Sequence, residues 1–324
     1  MARKLAVLMD AIAEIRIAKD TTFALLLEAQ ARGYEISYLT QGDLALRDGA
    51  PYARTARLQV RDDARDWFSL AQAAWQDLRD FDVILARKDP PVDDQFIYDT
   101  QVLQLAQDAG VLVVNDPRGL RDANEKLFAQ HFPQCCAPAL VARQPAELKR
   151  FAAEHGRVVL KPLDGMGGRS IFLSGHGDPN LNVILETLTA NGRCFAMAQK
   201  FIPEISSGDK RILMIDGEPV PYALARVPQG DEFRGNLAAG GKGVGVPLSE
   251  RDRWIAAEVG PELKRRGMLF VGLDVIGDWL TEVNVTSPTC LRELDAQFGL
   301  NIAGQLFDVI ESRLKNAVHE VHAR

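Results

Sequence analysis

The sequence predicts an α/β protein whose first third is a parallel sheet and whose remainder rests mainly on antiparallel strands. Three observations carry this. Short apolar runs alternate with amphipathic stretches up to about residue 115, the texture changes after Asn115-Asp116-Pro117, and Asp216-Gly217 is a strong hairpin signal beside an apolar run.

Taken in order, residues 5–9 read as a strand, 21–31 as a helix ended by Gly33, and 34–39 as the next strand. Residues 83–87, a helical pattern around 96–109 stopped by Gly110, and 111–115 repeat the unit, and this order implies a Rossmann-like parallel sheet. Its first turn, Asp10-Ala11-Ile12-Ala13-Glu14-Ile15-Arg16, contains no glycine, so its backbone cannot close on a pyrophosphate; NAD and FAD are not predicted. A domain boundary falls near residue 122. Beyond it, 124–131 and 145–155 read as helices, and 158–163, 170–173, 195–202 and 210–215 as strands. Residues 228–247 hold six glycines and almost no periodicity, which suits a functional lid or a disordered linker better than a plain connection. A helix over 249–266, a hairpin over 270–284 and a closing helix over about 302–317 complete the chain.

Composition narrows the function classes. With 47% hydrophobic and 25% charged residues the chain is an ordinary soluble globular protein, and 324 residues suggest two or three modules. A net charge of −6 gives no footing for counterion release, so neither nucleic acid nor a membrane is expected as partner. No apolar run approaches the ~20 residues of a membrane span, and the start lacks a secretory apolar core. Cys135, Cys136, Cys194 and Cys290 show no metal-ligand spacing and are too sparse for a disulfide scaffold, which indicates a reduced, cytoplasmic protein. For the vicinal pair Cys135-Cys136 a buried apolar role is expected over a redox switch.

The sharpest cluster is the run from Gly272 through Asp274 and Asp278 to Glu282 and Asn284. Alternation puts Glu282 and Asn284 on one strand face. Asp274 faces Glu282 across the hairpin if the turn at Gly277-Asp278 has three residues, pairing Ile276 with Leu280, or if a bulge intervenes; a plain two-residue turn would put them on opposite faces. An odd loop or a bulge is expected. Two carboxylates and an amide, completed by phosphate and water, suit Mg²⁺ on a nucleotide better than zinc; a solvated polar face is the alternative.

Lys161-Pro-Leu-Asp-Gly165-Met-Gly167-Gly168 is a strand entering a glycine-rich turn that is either a phosphate clamp or simply tight. It is not a Walker A loop, since no Gly-Lys-Ser/Thr follows. Lys161 and Lys126 would be natural partners for phosphate oxygens, a merely solvated ammonium being the alternative for either lysine taken singly, and Arg87, Arg211 and Arg226 for carboxylates or phosphates. Arg87 stands at the end of a predicted parallel strand, where ligands collect, although a surface ion pair is an equal alternative. The five histidines show no partner spacing and no Gly-x-Ser-x-Gly elbow occurs, which disfavours nucleophilic catalysis.

Together these pieces resemble the ATP-grasp superfamily. Within it, Arg87-Lys-Asp-Pro-Pro91, Lys161-Pro-Leu-Asp-Gly-Met-Gly-Gly168, Gly235-Asn-Leu-Ala-Ala-Gly-Gly241 and Asn284-Val-Thr-Ser-Pro-Thr289 are similar to bacterial glutathione synthetases over nearly the whole chain. The resemblance implies a Rossmann-like (pre-ATP-grasp) parallel-sheet domain over 1–122, followed by an ATP-grasp fold of two α+β subdomains, 123–202 and 203–316, with a lid at 228–247 and a tail at 317–324. It implies ligation of γ-glutamylcysteine and glycine with ATP, through an acyl phosphate, in a cytoplasmic homotetramer. Carried over by residue, it makes Asp274, Glu282 and Asn284 ligands of Mg²⁺, with Mn²⁺ as alternative. Lys126, Lys161, Gly165, Gly167, Gly168, Gln199, Lys200 and Asn284 bind ATP, and Lys161, Arg211 and Arg226 act at the reaction centre. Arg87, Arg226, Ser287 and Thr289 meet the peptide, and Gly235, Asn236, Gly240 and Gly241 belong to the lid. The competing readings are a ligase adding an amino acid to another peptide or protein, and an ATP-binding regulatory module without turnover.

Overall fold

The computed structural model describes residues 2–165, 167–229 and 242–322, with side chains up to 316. The expected lid residues Gly235, Asn236, Gly240 and Gly241 lie outside these, as does Met166 of the glycine turn.

The first sheet is built from β1 (Lys4–Met9), β2 (Glu35–Leu39), β3 (Leu44–Arg47), β4 (Ala50–Val60), β5 (Phe68–Leu70), β6 (Ala74–Asp77), β7 (Val83–Arg87) and β8 (Leu112–Val114), with α1 (Thr21–Ala31), α2 (Asp94–Asp108) and α3 (Pro117–Asp122) between them. Strands β2, β1, β7 and β8 run parallel, which fits the near-continuous burial of the central β1 and β7. The helices begin where capping chemistry allows: Asp20 accepts from Phe23 N at 2.6 Å and Asp93 from Phe96 N at 2.9 Å. The antiparallel strands β3–β6 are an addition that the sequence reading passed over. In β4 the buried positions include Ala53, Thr55 and Ala56, so its alternation carries little hydrophobic contrast.

The second sheet, order β11-β10-β12-β9, is antiparallel: β9 (Ala139–Ala142), β10 (Arg157–Pro162), β11 (Phe172–Gly175) and β12 (Ala196–Lys200). It carries α5 (Pro145–His155) and α6 (Leu181–Leu188), whereas α4 (Glu125–Ala129), earlier on the same stretch of chain, packs against the third sheet. The third, order β15-β14-β13-β16-β17, comprises β13 (Asp209–Ile215), β14 (Glu218–Val227), β15 (Lys242–Pro247), β16 (Phe270–Ile276) and β17 (Trp279–Asn284), with α7 (Glu250–Arg265), α8 (Leu291–Phe298) and α9 (Ile302–His322). Helix α9 runs past the predicted end of the last domain.

The cores are unequal in reach. Leu148, Phe151, Val158, Leu160 and Leu185 form a core private to the second sheet. The other two clusters each join the first sheet to the third, one through Leu8, Ile84, Val271 and Val283, the other through Leu5, Leu85, Leu213 and Phe270. The first and third sheets therefore share their apolar interior, while the second stands on its own.

Candidate active site

One face of the third sheet carries a row of charges. Arg211 pairs directly across from Asp274, and Asp274 from Glu282, while Asp209 pairs across from Arg226. The turn at Gly277-Asp278 has only two residues, with Ile276 opposite Trp279 and not Leu280. A register shift after Asp274 leaves Thr281 as the extra residue, and this bulge restores Asp274 to the face of Glu282. Thr281 Oγ1 donates to Asp274 O at 3.1 Å and so occupies the irregularity. Gly272 is needed beside this row: a Cβ there would stand 2.7 Å from Arg211 Cδ.

Two carboxylates set directly opposite repel each other, and cations surround them. Arg211 Nε lies 2.5 Å from Asp274 Oδ1, and Arg226 Nη2 lies 2.9 Å from Asp274 Oδ2 and 2.5 Å from Asp209 Oδ2. From α4 and from β10 of the second sheet, Lys126 Nζ and Lys161 Nζ approach Glu282 Oε1 at 3.6 and 3.8 Å. Lys126 Nζ also donates to Gly165 O at 2.6 Å, tying the glycine turn to α4. Burial would raise the Asp274 carboxyl, but the two guanidinium groups outweigh it and hold it below the ordinary carboxylate range. Asp209 goes the other way. Burial, aided by Asp274 and Glu282, pushes it up to about 7 against the pull of Arg226. Burial also lowers the Lys161 ammonium.

These groups line a cavity of about 300 Å³ between the second and third sheets, continued by the segment 286–290 and by Asp89 and Pro90 of the first. Of the residues singled out in the sequence, Lys161, Gly165, Gly167, Gly168, Gln199, Lys200, Arg211, Arg226, Asp274, Glu282, Asn284, Ser287 and Thr289 all line it. Lys126 touches it through Gly165 and Glu282. Gly167 and Gly168 have φ of 62° and 79°, backbone that favours glycine. The wall beside Gln199 is apolar, with Val159, Ile171, Phe201, Ile202, Ile205 and Ile276. Among the described residues Gln199 Nε2 and Asp209 Oδ1 are buried without a partner, so a ligand offering both an acceptor and a donor would satisfy them.

Arg87 is placed differently. It is buried at the end of β7, one layer behind the wall, donating to Thr22 Oγ1 and Pro288 O at 3.0 Å each. Among the described residues no carboxylate lies within ion-pair distance of it, and burial pushes its guanidinium down to about 10. Residues that the sequence reading passed over are Asp209, Glu125, Thr281 and Cys290. Asp209 was findable, since alternation puts it on the face of Arg211. Glu125, next to Lys126, accepts from Val285 N and Thr286 Oγ1. Cys135 and Cys136 are buried, and burial pushes their thiols up to about 11 and about 12, which suits apolar packing.

Comparison with known proteins agrees along the chain. Residues 3–121 match the family described as prokaryotic glutathione synthetase, N-terminal domain, and residues 125–299 match its ATP-grasp domain. Proteins described as glutathione synthetase from Xanthomonas campestris pv. campestris and Xanthomonas axonopodis pv. citri are 68% and 67% identical, each over 96% of this chain and 99% of the relative. Among solved structures, D-cycloserine synthetase DcsG superposes with a TM-score of 0.65 over 96% of this chain and 99% of its own; at 15% identity this speaks for the fold alone. The fold is an α/β ATP-grasp fold.

Proposed function

The chain belongs to the prokaryotic glutathione synthetase family and is an ATP-dependent ligase; from that premise we propose that it joins the cysteinyl carboxylate of γ-glutamylcysteine to the amine of glycine through an acyl phosphate, releasing ADP and phosphate. The observation that carries the residue assignment is the gathering of Lys126, Lys161, Arg211 and Arg226 around one cavity with a glycine turn at its edge.

A carboxylate does not accept an amine at neutral pH, so it must first gain a leaving group. Transfer of the γ-phosphoryl group from ATP supplies one, through a transition state whose oxygens carry dense negative charge. The two lysines and two arginines oppose that charge from fixed positions. The apolar wall beside Gln199 and Lys200 suits a nucleobase, and the Gly165–Gly168 turn, held by Lys126, suits the phosphates. Ser287, Thr289 and Arg226 would meet the peptide, with Arg87 behind them. With no serine, cysteine or histidine nucleophile indicated, phosphoryl transfer goes directly to the substrate.

A divalent cation fits beside them. Asp274 and Glu282 are cross-strand neighbours, and Asn284 donates its amide N–H to Gly272 O at 3.3 Å, leaving Oδ1 as the atom a metal would take. A cation there would be completed by phosphate oxygens and water. We assign Mg²⁺, with Mn²⁺ as alternative; when bound it neutralises phosphate charge. Family membership is also the support for a homotetramer working in the cytoplasm. Among the described residues no helix is long and apolar enough to cross a membrane.

An ADP-release assay tests the reading. ADP should appear only when ATP, γ-glutamylcysteine and glycine are all present. Release with another acceptor in place of glycine would favour ligation to a different partner, and nucleotide binding without release would favour a regulatory module.

A further inference from the structure

Asn115 closes the first sheet at the end of β8, and its side chain belongs to a different part of the molecule. The carboxamide is 3% exposed. Its Nδ2 donates to Phe270 O and to Val285 O, both at 2.7 Å, and its Oδ1 accepts from Phe270 N at 2.8 Å. One amide thus pins the start of β16 and the residue just past the end of β17, which are 15 residues apart in sequence.

Both pinned points lead to the proposed peptide side of the cavity. The Phe270 ring lies under the Arg87 guanidinium, 5.5 Å from centroid to Cζ. Val285 opens the segment that supplies Thr286, Ser287, Pro288, Thr289 and Cys290 to the wall. The rest of that segment also hangs on earlier parts of the chain: Val285 N and Thr286 Oγ1 donate to Glu125, Ser287 Oγ donates to Asp89, and Arg87 donates to Pro288 O. Strand β17 ends its sheet, and among the described residues no further strand fixes the position of segment 285–290. Side chains do so instead, and Asn115 is the one that holds both Val285 and Phe270.

We propose that Asn115 is a positioning residue for the peptide substrate: by holding Val285 and Phe270 together it sets segment 286–290 and Arg87 in the geometry that receives the peptide. This rests on the assignment of Ser287, Thr289 and Arg87 to the peptide side. Among the described residues Asn115 makes no hydrogen bond to Lys126 or Lys161, so losing its amide bears first on the peptide side and reaches the nucleotide only through Asn284 and Asp274, on the strands it pins.

The test is steady-state kinetics of Asn115→Ala and Asn115→Asp, with each substrate varied and thermal unfolding measured alongside. Asn115→Asp keeps the volume and the acceptor for Phe270 N but turns an oxygen toward two carbonyls. Losing buried hydrogen bonds should raise KM for γ-glutamylcysteine on the order of tenfold, with a much smaller change in KM for ATP. A purely structural residue would lower Tm and the active fraction, cutting kcat while leaving both KM values alone, and that outcome overturns the proposal. If neither variant folds, Phe270→Leu, which removes the ring under Arg87 and keeps an apolar core, should raise the peptide KM in the same selective way; an unchanged peptide KM there also overturns it. A parent enzyme that releases no ADP with γ-glutamylcysteine and glycine would instead refute the function itself, a result distinct from these.

Discussion

At one end of the cavity, Lys126, Lys161, Arg211 and Arg226 each face a carboxylate at 2.5–3.8 Å; at the other, Arg87 is buried against Thr22 and Pro288 with no carboxylate in ion-pair reach among the described residues. The foundations differ as well. The charged end lies between the second sheet, with its private core, and the third. The Arg87 end lies where the first and third sheets share their core and where Asn115 binds the two together. The difference teaches how one protein keeps cations buried in two ways. The four cations gathered at the cavity are neutralised by carboxylates; Arg87 is held by packing and neutral acceptors, with Asp89 and Asp20 acting on it at longer range. Burying charge without a partner is costly, so Arg87 depends on its scaffold more than the lysines do on theirs.

The largest effect that could break this comparison is on stability. Asp274→Asn leaves Arg211 without its carboxylate and Arg226 with one in place of two, and should destabilise the protein by about 3–5 kcal/mol in urea unfolding. Arg87→Met removes a buried cation that has no such partner, and should stay within about 1 kcal/mol of the parent while weakening use of the peptide. Equal losses in the two variants would mean that Arg87 is as fully paired as Asp274.

A smaller effect sharpens the contrast by pH. The Asp209 carboxyl sits at about 7 in the folded protein against an ordinary 3.8, raised chiefly by burial. A group raised on folding binds its proton more tightly when folded. Its stabilising contribution is therefore complete below about pH 4 and is lost as pH rises through about 7. Asp209→Asn, fixed in the neutral form, should gain on the parent between about pH 5 and about pH 8, seen as a widening gap in urea midpoints. Parallel curves would place the titration elsewhere.

How much of this was legible in the sequence depends on the range of the interactions. The charged face of the final hairpin was readable from two-residue alternation at Glu282 and Asn284. That Asp274 joins it was expected through an odd loop or a bulge, and the bulge is what occurs, at Thr281 behind a two-residue turn. Strand periodicity alone does not reveal a bulge, because the extra residue is defined by the partner strand. The end of β7 was readable too, but not that Pro288, 201 residues away, stands between Arg87 and the cavity. Strands β3–β6 escaped notice because alanine and threonine carry much of the buried side of β4. Asn115 gave no signal at all, since its role lies wholly in contacts 155 and 170 residues distant.

The central claim is that the cation cluster serves phosphoryl transfer from ATP directly to the peptide's carboxylate, and isotope transfer tests it most directly. With ¹⁸O in the cysteinyl carboxylate of γ-glutamylcysteine, each turnover should deliver one labelled oxygen to inorganic phosphate, with ADP as the nucleotide product. Unlabelled phosphate, or label recovered in AMP, would contradict the acyl-phosphate route and the roles assigned to Lys161, Arg211 and Arg226.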